Sequence, residues 1–368
     1  MPSITPGRPA RSSMRTEITG AKRLVVKIGS SSLTDREGHL DPARIETLAA
    51  ELASLQARDK RLVLVTSGAI AAALGPLGLP ARPKDLETQQ AAAAVGQGIL
   101  IRRYAEAFAA HHQMVAQVLL TAGDLQDGRS YRNALNTISR LFRLGVIPVI
   151  NENDTVATGE IRFGDNDRLA ALTAHLVRAD ALVILSDVDG LYTAHPAEPG
   201  ARLIPRVRDF TELVADTSRV GSRVGTGGMR TKVEAARIAT SGGVSVVLAH
   251  ADQLLAALEG EEVGTLFEAA GRRRPRRLLW LAHAAEVSGE LRIDAGAARA
   301  VGKGHASLLA VGIDDVTGDF EAGDPVDITG PGGTLLARGL VDCSATELRR
   351  RMGLGGLAVH RDLMIGIH

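Results

Sequence analysis

The sequence predicts an α/β protein, a mostly parallel central sheet with helices on both faces, followed by a small β-rich module. Three observations predict it. From Arg23 to Leu248 short apolar runs alternate with longer amphipathic ones. The short runs are continuously apolar, as strands covered on both faces must be. Beyond Gly271 the rhythm changes to brief strand-like runs separated by Gly and Asp turns.

The elements follow in order. Arg23–Ile28 reads as the first strand. Asp41-Pro42 opens a helix, Asp as N-cap and Pro in the first turn, with Ile45, Leu48, Leu52 and Leu55 on one face. Leu62–Val65 is the second strand, Gly96–Ala110 a helix and Val115–Leu120 a strand. Tyr131, Leu135, Ile138 and Phe142 mark another helix, and Val146–Ile150 a strand that ends in a polar turn. Thr155–Phe163 alternates like an edge hairpin, and Leu169, Leu172 and Leu176 form a helical stripe. Ala181–Leu185 and Val244–Leu248 complete the strands of this region.

The domain plan is a flexible N-terminal extension over 1–20, a larger α/β domain over 21–270, a basic linker over 271–277 and a β-rich domain over 278–368. In the last of these, Leu291–Ile293, Leu308–Ile313, Pro325–Ile328 and Leu335–Val341 read as strands, with Gly330-Pro331-Gly332-Gly333 as a hairpin turn.

Composition narrows the function classes. The chain of 368 residues has 43 Lys and Arg against 42 Asp and Glu, so its overall charge calls for neither nucleic acid nor an anionic membrane. Cys343 is the only cysteine, which excludes an intrachain disulfide and fits a cytoplasmic location. No apolar run approaches the roughly 20 residues of a membrane span. Aromatic residues make up 3%, so the core must be packed by Ala, Val, Leu and Ile, and platforms for stacking bases are few.

In parallel sheets ligands sit at the carboxyl ends of the strands, so the residues after each strand carry the chemistry. Lys27-Ile28-Gly29-Ser30 offers a cation, a close backbone approach and hydroxyls, which suit a phosphate; taken alone it reads equally as an ordinary βα turn. Thr66-Ser67-Gly68-Ala69 is a small-residue turn that permits close packing of a helix or a ligand. Asn151-Glu152-Asn153-Asp154 could hold the amino and carboxylate groups of a polar ligand, or form an Asx-rich turn. In Gly164-Asp165-Asn166-Asp167, Asp165 or Asn166 can cap the helix that follows, while an Asp between two lysines could hold both. Ser186-Asp187 can meet ribose or phosphate. Gly225-Thr226-Gly227-Gly228-Met229-Arg230-Thr231-Lys232 is a glycine-rich loop entering a helix, a ready anion site, although it lacks the Walker A spacing. There is no His-Glu-x-x-His, no paired-cysteine spacing and no Gly-x-Ser-x-Gly elbow, and no metal-ligand set is expected.

Taken in order, these motifs resemble the amino-acid kinase superfamily and, within it, the kinases that phosphorylate glutamate. The resemblance runs from Arg23 to the C-terminus. It implies an amino-acid kinase sandwich that binds ATP, Mg2+ (held mainly by the nucleotide phosphates) and L-glutamate. It implies Lys27, Lys232 and Asp167 as the catalytic set, with Asp167 orienting the lysines, and Ser67, Asp154, Asn166 and Asp165 at glutamate. Lys27, Ser186, Asp187 and the loop Thr226, Gly227, Gly228, Met229, Arg230, Thr231 and Lys232 would hold ATP. Gly323-Asp324-Pro325-Val326-Asp327-Ile328 and Ala337-Arg338-Gly339 are similar to a PUA domain. The product would be an acyl phosphate made for proline biosynthesis, with proline as feedback inhibitor and a homo-oligomer as the expected assembly. Two departures stand out: Ser186 where Thr is expected, and Arg162 where Lys is usual. The rival readings are an acetylglutamate, aspartate or uridylate kinase, and an RNA-binding protein that uses the PUA-like domain with the basic run Arg272–Arg277.

Overall fold

The computed structural model describes residues 15–156, 166–211, 213, 228–269, 275–302 and 306–367. The chain divides into two compact units, Met1–Leu120 with Ile138–Gly271, and Thr121–Thr137 with Arg272–His368.

Among the described residues the first unit holds one sheet of eight strands: β1 (Arg23–Ile28), β2 (Arg61–Val65), β3 (Val115–Leu120), β4 (Ile147–Glu152), β5 (Ala181–Ser186), β6 (Arg206–Val207), β7 (Ser245–His250) and β8 (Thr265–Phe267). Their order is β3-β4-β2-β1-β5-β7-β8-β6. The six strands from β3 to β7 in that order run parallel, and β8 is antiparallel to β7. The chain leaves β1 on one side for β2, β3 and β4, then returns to the other side for β5 and β7. The topological switch therefore falls at β1, and the cleft beyond the strand tips opens there.

The period of two along β1 sorts its side chains. Leu24, Val26 and Ile28 enter a core with Ile45 and Leu52 of α2 (Pro42–Gln56) and with Leu100 and Phe108 of the later helix Leu86–Ala109. Val25 and Lys27 face the opposite side. The Asp41 carboxylate accepts from the Ala43 N–H and Pro42 occupies the first turn, as the sequence predicts.

The remaining helices of this unit follow from the same logic. α1 (Thr16–Thr19) precedes β1, α3 (Ala69–Leu74) follows β2, and α4 (Leu86–Ala109) packs on α3 through small residues. α5 (Ala122–Gln126) belongs to the second unit, and α6 (Gly128–Arg143) runs from one unit into the other. α7 (Asn166–Val177) is buried at every residue but Arg168, and its alanines let α8 (Met229–Ser241) lie close. Helices thus cover both faces, and α9 (Leu254–Leu258) completes the first unit. Among the described residues no helix is long and apolar enough to cross a membrane.

The second unit builds a sheet of its own from β9 (Gly289–Ile293), β10 (Leu308–Leu309), β11 (Ile313–Gly318), β12 (Pro325–Thr329), β13 (Leu335–Val341) and β14 (Leu357–Gly366), in the order β10-β14-β13-β12-β9-β11. Leu291, Phe320, Val326, Ile328 and Val359 form its core. α10 (Arg276–His283) carries Trp280, whose indole N–H donates to the carbonyls of Leu125 at 3.0 Å and Gln126 at 3.1 Å. α11 (Ala295–Gly302) and α12 (Ala345–Arg351) complete it.

Several boundaries differ from the sequence reading. The N-terminal extension was expected to reach residue 20, yet Arg15 is 2% exposed. Its guanidinium donates to the carbonyls of Val263, Pro205 and Gly264, groups a loop would otherwise leave unpaired. The basic linker was expected over 271–277, but Arg276 and Arg277 already belong to α10. The second unit also takes in Thr121–Thr137, because Trp280 seats on that segment. Leu308–Ile313 is not one strand: a 3-10 turn at Ala310–Gly312 separates β10, paired with β14, from β11, paired with β9. The helix expected from Gly96 begins at Leu86, capped by the Asp85 carboxylate on the Thr88 N–H. The hairpin expected at Thr155–Phe163 falls mostly outside the described residues.

α3 and α4 meet at Gly96, where an added Cβ would lie 1.7 Å from the Ala69 carbonyl oxygen. Neither backbone can yield without moving the turn Ser67-Gly68. Gly96→Ala should therefore lose about 1–3 kcal/mol or more of stability in urea unfolding, despite alanine's better helix propensity. A gain in stability would show that α3 does not press on α4 as described.

Candidate active site

The tips of β1, β2, β4 and β5 and the first turns of α7 and α8 converge on a cavity of about 180 Å3. Its wall includes Lys27, Gly29, Ser67, Asp154, Asn166 and Lys232, all singled out from the sequence, together with Arg82, which was not.

Two of these residues, Lys27 and Lys232, are tied to Asp167, fully buried in the first turn of α7. One carboxylate oxygen is 2.7 Å from Lys27 Nζ, and the other is 3.5 Å from Lys232 Nζ. The second oxygen also accepts from the Thr231 hydroxyl at 2.8 Å. The three charged groups come from three elements. Lys27 faces away from the α2 core by strand alternation, Asp167 stands at the N-terminus of α7, and Lys232 lies one turn into α8. Burial alone would raise the Asp167 carboxyl; Lys27, Lys232 and the hydrogen bonds from Lys27 and Thr231 overcome that and hold it at about 2. Burial pulls the Lys232 ammonium below its usual value, Asp167 opposes that fall, and the Lys27 charge adds to it. Two lysines sharing one carboxylate leave a net positive charge facing the cavity.

The opposite wall is built of amides and hydroxyls. Asn166 Nδ2 donates to Ser67 Oγ at 3.0 Å and to Asn151 Oδ1 at 3.1 Å, and Asn151 Nδ2 donates to Gln97 Oε1 at 2.7 Å. This chain fixes which way the Asn166 amide faces. Its Oδ1 is left as a buried acceptor with no hydrogen-bond partner among the described residues. Such an atom asks for a donor from a ligand or water. Asp154 also lines the cavity, and burial raises its carboxyl to about 6, with the Arg82 charge opposing.

At the tip of β5 the buried Ser186 hydroxyl donates to Asp187, whose carboxylate is exposed. Gly228 caps α8. Of the predicted loop, Thr226 and Gly227 lie outside the described residues, as does Asp165. Arg230 is exposed, Met229 is half-buried, and the Thr231 hydroxyl is spent on Asp167 and the Gly228 carbonyl. A Cβ on Gly29 would lie 3.6 Å from Lys27 Nζ, so any side chain there would take up room beside the ammonium.

The sequence reading differs from the structure in one local respect. Asn151 and Glu152 were expected in a turn; they belong to β4, which aims Asn151 at Asn166. Gln97 and Tyr104 of α4 were not singled out. The buried Tyr104 hydroxyl meets Thr66 Oγ1 at 2.8 Å, which secures the turn that carries Ser67. The period of α4 marks both as inward-facing, but nothing in the sequence pairs them with β4 or β2.

The comparisons agree with this arrangement. Residues 22–250 match the amino acid kinase family, and residues 289–363 match the PUA domain. The chain is 53% identical to the glutamate 5-kinase of Streptomyces coelicolor, over 95% of this chain and 94% of that one. It is 56% identical to the glutamate 5-kinase of Salinispora arenicola, over 92% and 93%. Among solved structures it is similar in fold to the carbamate kinase of Giardia lamblia bound to AMP-PNP, with a TM-score of 0.52 and 17% identity, over 68% of this chain and 100% of that one.

Asp167→Ala leaves two buried ammonium groups facing each other without a counter-charge. The loss should be about 3–5 kcal/mol in ligand-free unfolding at neutral pH. The depressed carboxyl contributes stability that is present above the ordinary aspartate range and lost as pH falls toward 2. In the variant that contribution to the acid limb should be gone; an unchanged acid limb would count against the pairing.

Proposed function

The chain belongs to the amino acid kinase family, and on that premise we propose that it transfers the γ-phosphoryl group of ATP to the side-chain carboxylate of L-glutamate, giving γ-glutamyl phosphate. The observation that carries the reading is the Lys27–Asp167–Lys232 triad, its two lysines joined in lining one cavity by Asp154 and by Asn166, whose Oδ1 has no partner among the described residues. The high identity to glutamate 5-kinases over nearly the whole chain supports glutamate over the sister acceptors.

The chemistry needs little from the protein beyond placement and charge. The acceptor carboxylate is already ionised at neutral pH, so no general base is required. Phosphoryl transfer spreads negative charge over the equatorial oxygens, and fixed cations lower that barrier without reorganising. Lys27 and Lys232 meet those oxygens from either side of the transferring group. Asp167 acts as a positioning residue: its two carboxylate oxygens hold the two ammonium groups, one each. Ser67, Asp154, Asn166 and Asp165 bind glutamate, its ammonium reaching Asp154 and Asn166 Oδ1. Ser186, Asp187 and the loop from Thr226 to Lys232 receive the nucleotide.

The donor set also suits magnesium that arrives with the nucleotide. Among the described residues no three of His, Cys, Asp and Glu converge, and Asp167 is committed to its lysines. Magnesium would be held largely by the nucleotide's phosphate oxygens, and Asp187, an exposed carboxylate at the tip of β5, is the protein residue that would join them. When bound, magnesium supplies further neutralisation of the phosphate charge.

Proline carries an ammonium and an α-carboxylate but no second carboxylate, so it is expected to compete for the glutamate wall without reaching the lysines. The test is inhibition that excess glutamate relieves.

Trapping the acyl phosphate with hydroxylamine tests the reaction itself: hydroxamate should form only with ATP and glutamate both present. Well-folded, ATP-binding protein that forms none would reject glutamate as the acceptor. Lys27→Ala should lower turnover by roughly 100- to 1,000-fold. The pH profile follows from Asp154. Its carboxylate is ionised above about 6 in the free protein, so kcat/KM for glutamate should fall as pH drops through that value. Asp154→Asn should lower kcat/KM and remove that limb; a limb that persists would move the titration to another group.

A further inference from the structure

Glutamate at neutral pH brings three charges to the site, two carboxylates and one ammonium. The proposed function assigns the side-chain carboxylate to the phosphoryl end and the ammonium to Asp154 and Asn166. The α-carboxylate remains. A site that buries it must give it a cation or several donors, because an unpaired ionised group loses its hydration uncompensated.

The described cations in the cavity wall are Lys27, Lys232 and Arg82. Both lysines are bound to Asp167. Arg82 differs. It lines the same cavity beside Pro80 and Ala81, is partly buried, and makes no hydrogen bond or ion pair within 4.0 Å among the described residues. The Asp154 charge acts on its guanidinium through the cavity, and burial lowers its pKa. Five N–H donors are thus held at a half-buried surface with no acceptor among the described residues. The backbone around them is stiff. Pro80 fixes its own φ, and Pro83 confines Arg82 to extended conformations. The guanidinium is therefore carried on a preset arm rather than a loose loop.

We infer that Arg82 is the specificity residue for the α-carboxylate of the amino-acid substrate, receiving it in a bidentate pair while Asp154 takes the neighbouring ammonium. The inference rests on the glutamate-phosphorylating reading above. An α-amino acid presents its ammonium and carboxylate on one carbon, and a guanidinium and a carboxylate on one wall match that pair in sign. Fork geometry favours arginine over lysine at such a position. The rival host is the short α3, whose first backbone N–H groups, after Gly68, open on the same cavity. If those amides alone held the carboxylate, Arg82 would be dispensable.

Isoglutamine separates the possibilities, since it is glutamate with a neutral amide in place of the α-carboxylate and keeps the ammonium. Its inhibition constant against glutamate, and the KM of glutamate, should be measured for the full chain and for Arg82→Gln. The full chain should prefer glutamate by a wide margin. In Arg82→Gln the KM of glutamate should rise roughly 10- to 100-fold with kcat within a few-fold, while isoglutamine binding changes little, so that the two converge. Removing Arg82 also removes a positive charge near Asp154, but that loss falls on both compounds alike because both carry the ammonium. Arg82→Lys, which keeps the charge and loses the fork, should lie between. The inference is overturned if Arg82→Gln weakens both compounds equally, as a collapsed loop would, or weakens neither. Absence of glutamate-dependent hydroxamate from the unmodified chain would instead bring down the reaction assignment itself.

Discussion

Everything at the strand tips depends on one buried carboxylate. Asp167 is surrounded by protein, yet its lysine partners keep it ionised. Without it, two ammonium groups could not be held side by side in a half-dry cleft, because each would lose hydration and repel the other. With it, the site keeps one surplus positive charge before any nucleotide arrives. The fold serves this arrangement. β1 is central, its alternation turns Lys27 away from the α2 core, and α7 is buried almost end to end so that its first turn cannot drift. The alanines of α7, Ala170, Ala171 and Ala174, let α8 lie close enough to bring Lys232 within reach.

The other wall shows a different economy. A relay of amides from Gln97 through Asn151 to Asn166 leaves, among the described residues, the Asn166 Oδ1 acceptor over. Orientation is thereby fixed without charge. Asp154 then adds charge at the margin, in a setting where burial raises its carboxyl and Arg82 restrains that rise. The cavity is thus electrostatically divided, cationic where phosphate would lie and mixed where an amino acid would lie. A substrate with an anionic end and a zwitterionic end fits that division end for end.

Much of this was legible in the sequence because local rules and global ones agree along the strands. β1, β2, β5 and β7 are continuous apolar runs, and the residues at their tips stand where parallel-sheet topology puts ligands. Lys27, Ser67 and Ser186 were singled out on those grounds, Asn166 and Asp167 from the polar cluster that opens a helix and Lys232 from the glycine-rich loop that enters another, and they do come together although they are far apart in the chain. The features that were not legible depend on contacts that no local pattern announces. Arg15 reads as part of a polar leader until its carbonyl partners, some 190 residues away and more, are brought to it. Arg82 sits in a Pro-rich loop that reads as a connector. Gln97 and Tyr104 look like ordinary helix residues until β4 and β2 supply their partners. In the second unit, β14 is the longest strand among the described residues and is not marked in the sequence because its polar residues break the apolar rhythm.

Trp280 has a consequence for how the protein can be observed. It is the only tryptophan in the chain, and its indole is tied by hydrogen bonds to the Leu125 and Gln126 carbonyls inside the second unit. Ultraviolet emission is therefore a report from a single place. A fluorescence melting curve follows the release of that indole, and with it the α10 joint, while the sheet that carries the lysines contributes no tryptophan signal. Circular dichroism averages both units. Where the two curves part, the separation measures how independently the two units unfold.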